Sequence, residues 1–121
     1  MKRLGSILLV LMVPATASAA ELRTIPKGFQ GHWSLTAEQC APGPPDDANI
    51  LIGERFIQDY STRMAVRYVS VQGKDEIIAG GRVTSGSSRY DNVSRLALLE
   101  NGTVLGVGEG EDHALYVRCK P

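Results

Sequence analysis

Asn92-Val93-Ser94-Arg95-Leu96-Ala97-Leu98-Leu99-Glu100-Asn101-Gly102-Thr103-Val104-Leu105-Gly106-Val107-Gly108 places two apolar runs on either side of an Asn-Gly pair. Asn and Gly tolerate the positive φ angles of a tight reversal, so the pair predicts a hairpin between strands over residues 92–100 and 103–108. The same grammar repeats in both directions from this hairpin. Toward the C-terminus, Glu109 to Asp112 read as a turn and His113 to Cys119 as the last strand. Toward the N-terminus, Thr84 to Ser88 read as a polar loop, Glu76 to Val83 as a strand and Gln72-Gly73-Lys74-Asp75 as a turn. The adjacent Gly80-Gly81 inside that strand predict a bulge or a sharp bend. Over Thr62 to Val71, Met64, Val66 and Tyr68 fall on one face, with Arg63 and Arg67 on the other. Asn49 to Ile52 and Arg55 to Tyr60 read as short strands, preceded by the proline-rich loop Ala41-Pro42-Gly43-Pro44-Pro45-Asp46-Asp47. In the first strand Phe29, Gly31, Trp33 and Leu35 alternate with Gln30, His32, Ser34 and Thr36, the period of a half-buried strand.

About eight short strands with no amphipathic helix, repeat or internal linker predict an all-β chain. An antiparallel up-and-down barrel would remove the exposed edges of a single sheet; a β-sandwich is the alternative. In a closed barrel the first and last strands are neighbours, so Cys40 after the first and Cys119 at the end of the last are placed to form one disulfide.

The first twenty residues, MKRLGSILLVLMVPATASAA, predict export. Lys2 and Arg3 form a basic start, Ile7 to Val13 an apolar stretch too short to span a bilayer, and Ala17-Ser18-Ala19 a cleavage site of small residues. The expected organisation is a signal peptide over residues 1–20 and a single barrel domain over residues 21–121. The expected location is the periplasm or the exterior, without a membrane anchor. Lys2 and Arg3 leave with the signal, taking the 13 basic residues to 11 against 13 acidic ones, a balance of −2. No basic patch remains to attract nucleic acid or an anionic membrane. An oxidising compartment and an even cysteine count favour the structural disulfide over a reactive thiol or a metal ligand.

Phe29-Gln30-Gly31-His32-Trp33 resembles the opening of the calycin barrels, the lipocalins and avidins. That resemblance implies that Trp33 plugs one barrel end and that Arg118, on the last strand, packs over its indole. A wider pattern looks like a set of small exported proteobacterial proteins and implies a bacterial periplasm. It runs through Ile25-Pro26, Phe29-x-Gly31-x-Trp33, Cys40, Leu51-Ile52-Gly53, Asn101-Gly102-Thr103-Val104-Leu105 and Arg118-Cys119. Thr84-Ser85-Gly86-Ser87-Ser88-Arg89-Tyr90 resembles the Ser-Gly-x-x-Tyr loop of periplasmic C-type lysozyme inhibitors. This chain has one extra residue before Tyr90 and lacks that family's lysine-bearing loop. The resemblance makes Ser85, Gly86, Ser87 and Tyr90 a candidate partner-binding loop.

No nucleophile–base pair, carboxylate pair or metal-ligand cluster is legible. His32 and His113 each fall on a predicted strand with no motif around them, and Glu109-Gly110-Glu111-Asp112-His113 fits no cation-loop spacing. Gly80-Gly81 and Thr84 to Ser88 precede no helix that could aim its dipole at a phosphate. The sequence therefore predicts a non-catalytic module without cofactor or metal, binding a small apolar ligand or an envelope protein. A lysozyme-inhibitor-like protein and a hydrolase with an unrecognised site are the alternatives. Met64, Tyr68, Leu96 and Leu98 are expected to fill the interior, and Tyr60, Tyr90 and Tyr116 to offer an aromatic contact surface at strand ends.

Overall fold

The computed structural model describes residues 21–41, 46–109 and 112–120. The segment 1–20 read as a signal peptide, the proline-rich stretch 42–45, residues 110–111 of the expected acidic turn and Pro121 lie outside the described residues. Nine strands run in chain order among the described residues: β1 (Glu21–Leu22), β2 (Gly31–Ser34), β3 (Asn49–Ile52), β4 (Phe56–Gln58), β5 (Arg63–Gly73), β6 (Glu76–Ser85), β7 (Ser88–Leu99), β8 (Val104–Glu109) and β9 (Asp112–Arg118). Among the described residues there is no α-helix, only short 3-10 helices at Lys27–Phe29, Glu38–Cys40 and Glu100–Gly102.

Strands β2 to β9 each pair antiparallel with their chain neighbours, and β9 returns to pair with β2. This is a closed eight-stranded up-and-down barrel, and its continuous pairing excludes the sandwich. The short β1 stands outside the ring and pairs with β5 at Glu21↔Ser70 and Leu22↔Val69, beyond the reach of β4. A disulfide joins Cys40 to Cys119 across a sequence separation of 79, with the Cα atoms 5.5 Å apart.

Alternation sets the core. Ile50, Ile52, Met64, Val66, Val69, Ile77, Ala79, Val83, Leu96 and Leu105 are buried with Trp33, and Ile25 and Phe29 join them from the segment before β2. Leu98 packs against this core from the rim, while Tyr68 corrects the sequence reading. The β5–β6 register slips between Val66 and Tyr68, where Val66 faces Gly81 and Tyr68 faces Gly80. Arg67 is the extra residue, and period two restarts after it. Val69 therefore takes the inward position, and Tyr68 is half-exposed on the outer wall, its ring over Gly80. The bulge falls opposite Gly80-Gly81. A Cβ on Gly81 would lie 2.0 Å from the Ala65 carbonyl oxygen.

Three other readings change. Thr84 to Ser88 is not a loop: β6 runs to Ser85 and β7 begins at Ser88, leaving Gly86 and Ser87 as the turn. Gly86 has φ +60° and Ser87 does not share a positive φ, the pattern of a two-residue turn with glycine at its first central position. The reversal at Asn101-Gly102 is wider than a two-residue turn. Leu99 pairs with Val104, and Glu100, Asn101 and Gly102 all take positive φ (51°, 57° and 84°). The strand read over residues 29–36 is only Gly31–Ser34 (β2), with Phe29 in the 3-10 helix before it and Leu35 exposed, and the short β1 before it has no sequence signal.

Candidate functional site

Gly31 to Trp33 and Arg118 meet at one mouth of the barrel. Trp33 and Arg118 are register partners, so both side chains lie on the inner face of the wall. Trp33 is fully buried, its indole N–H donating to the Phe29 carbonyl at 3.0 Å. Arg118 faces inward yet is exposed, which places it at the rim. Its guanidinium carbon lies 4.1 Å from the Trp33 ring centroid. The same guanidinium donates to the carbonyls of Gln30 (2.9 Å), Gly28 (2.6 Å) and Gly102 (3.3 Å). A planar fork over an aromatic face suits arginine and not lysine. Gly31 is needed here, since its φ is +128° and a Cβ would sit 3.1 Å from the Arg118 side chain. The contact with Gly102 ties the β7–β8 reversal to the same cluster, a link with no local sequence signal.

The opposite end carries the β6–β7 turn, with Ser85 and Ser88 as the closing pair and Tyr90 opposite Val83. Tyr90 is 43% exposed. Arg82 and Asp91 form an exposed ion pair at 3.3 Å on the same hairpin. The three tyrosines do not form one surface. Tyr60, 66% exposed, stands in the β4–β5 connection. Tyr116 is only partly exposed, turned inward on β9 opposite buried Leu105. Its hydroxyl titrates above the usual 10.0, first because burial disfavours the phenolate and second because the Asp59 carboxylate repels it.

The two histidines are far apart in role. His32 donates from Nε2 to the side-chain oxygen of Asn49, whose amide in turn donates to Asp46 at 2.6 Å. This chain pins the start of β3 to β2. His113 is exposed on the outer wall beside Gly106. Among the described residues no three His, Cys, Asp or Glu side chains gather where they could hold a metal ion. No helix among them is long and apolar enough to cross a membrane.

An outer groove of about 740 Å³ runs over β6, β7, β8 and β9, lined by Glu76, Arg95, Ala97, Leu99, Gly106 and His113. Ala97 and Gly106 are register partners and form its floor, their lack of bulk giving the groove its depth. Arg95 and Glu76 form a half-buried ion pair at one side. Leu99 and Leu115 stay exposed beside it, Leu115 at 50%. Sequence reasoning missed this groove because its residues come from four strands, and only cross-strand register brings the small ones together. Comparison with protein-family models, curated proteins and solved structures returns no match.

Proposed function

We propose that the chain is an exported, non-catalytic β-barrel module that binds an envelope protein through its outer wall. One observation carries this reading. Bulky side chains (Trp33, Ile25, Val69, Ile77, Leu96 and Leu105) fill the interior, none more than 2% exposed, while Leu99 and Leu115 stand exposed around a groove floored by Ala97 and Gly106. A filled interior leaves little room for a small apolar ligand, the other occupant the sequence allows. A floor of small residues between exposed leucines accepts an apolar side chain of a partner. The disulfide and the leader favour an oxidising compartment outside the cytoplasm.

The test is capture from periplasm with the purified chain and with Leu99→Asp and Leu115→Asp variants. Mass spectrometry would follow both proteins and extractable small molecules. The expected result is a reproducible protein partner that both variants lose while keeping the parent melting temperature. A bound apolar small molecule without a protein partner would move the function to the interior. A hydrolytic activity abolished at His32 or His113 would place the chain among enzymes. N-terminal sequencing of the exported product, expected to begin at Ala20 or Glu21, tests the location.

A further inference from the structure

The barrel wall is incomplete along one strand. β7 pairs with β6 from Ser88 to Ala97 but with β8 only from Leu96 to Leu99. Among the described residues no strand lies against the outer edge of its first eight residues. The hairpin phase fixes which groups that edge presents. Ser85 and Ser88 close a two-residue turn and so form a doubly hydrogen-bonded pair. The Leu98 N–H donating to the Asp75 carbonyl at 2.8 Å keeps the same phase at the other end. Even-numbered residues of β7 therefore bond to β6, and Arg89, Asp91 and Val93 direct both N–H and C=O away from it.

We propose that two copies of this chain pair antiparallel along this edge, about a two-fold axis at Tyr90. Pairing puts outward-bonding residues opposite one another only when the axis passes through a residue. An axis at Arg89 sets arginine on arginine, and one at Asp91 sets aspartate on aspartate. Axes at Asn92 or beyond carry the hairpin tip of the second copy into the space of β8, which holds Val107 beside Leu96. The axis at Tyr90 avoids all three. It sets Arg89 opposite Asp91 of the second copy, twice, and stacks the two half-exposed Tyr90 rings at the closely spaced, non-hydrogen-bonded position. Opposite charges and an aromatic pair across strands are the favourable combinations there. Such an edge otherwise stays bare, with only charged side chains to discourage random pairing. The paired segment is short, so the dimer is concentration-dependent and weaker than a standard interface.

Sedimentation velocity of the exported, disulfide-bonded chain, across concentrations up to about 1 mM, tests the pairing. The expected result is a reversible monomer–dimer equilibrium. Arg89→Glu and Asp91→Lys, which each place like charges opposite twice, weaken it at least about tenfold. The double variant Arg89→Glu/Asp91→Lys restores it. Asp91→Pro, which removes an N–H that β6 does not use, abolishes it without loss of the barrel's melting transition. A chain that stays monomeric throughout overturns the proposal, as does a dimer indifferent to the single variants or not rescued by the double one. Capture of an extended peptide by a monomeric chain at this edge overturns it too. Self-pairing is read in purified protein and the envelope partner in capture through Leu99 and Leu115, so either proposal can fail alone.

Discussion

Arg118 holds three carbonyls from two separate segments and one aromatic ring, so single residues at this mouth have effects beyond their own contacts. Trp33→Ala should cost about 3–5 kcal/mol, because a fully buried indole leaves a cavity that the paired strands cannot collapse. Urea denaturation measures it, and native tryptophan emission should be blue-shifted. Arg118→Lys keeps the charge but loses the fork, and should cost about 1–2 kcal/mol. Tyr116 gives a pH signature. Its folded-state pKa is raised above the unfolded value, so its contribution to stability is fully present below pH 10.0 and is lost as pH rises through the folded value. Stability measured across the alkaline range should fall for the parent chain and fall less steeply for Tyr116→Phe.

At the scale of elements, the bulge at Arg67 decides what β5 presents. Without it Tyr68 would point inward and Val69 outward, and the Gly80-Gly81 pair is what allows the two backbones to approach. The two glycines should therefore respond differently. Gly81→Ala drives a methyl against the Ala65 carbonyl and should cost about 2–3 kcal/mol or more, since backbone must move. At Gly80→Ala the nearest atoms belong to the half-exposed Tyr68 ring, a side chain that can swing away, so this change should cost clearly less. Melting temperatures of the two variants rank them directly. The bulge was legible as a glycine pair, but its consequence was not. A one-residue slip flips every later side chain, and nothing local to Tyr68 marks which side of the slip it occupies.

For the whole molecule, closure rests on the β2–β9 ladder, two residue pairs long (Trp33↔Arg118 and Ser34↔Val117) and, with β3–β4, one of the two shortest in the ring. The Cys119 N–H extends it by one hydrogen bond to the His32 carbonyl, at 2.8 Å. The disulfide then crosses the same seam from Cys40. Replacing both cysteines by alanine should lower stability by roughly 4–5 kcal/mol on the chain-entropy model. Hydrogen exchange should speed first at β2 and β9, while the long β5–β6–β7 meander stays protected.

Alternation, turn residues and cysteine placement determined the eight barrel strands, their neighbour-to-neighbour order and the disulfide, though not the outside strand β1, because each of the three is written within a few residues or in the positions of two. The pairing Trp33 with Arg118 was legible only through resemblance, and the three carbonyls that Arg118 holds were not legible at all. Tertiary structure alone decided the outward turn of Tyr68, the half-burial of Tyr116, the outer groove and the bare edge of β7. Those features depend on strand register and on where one strand outruns its neighbour. Register is a property of pairs of strands distant in the chain, so no single segment of sequence carries it.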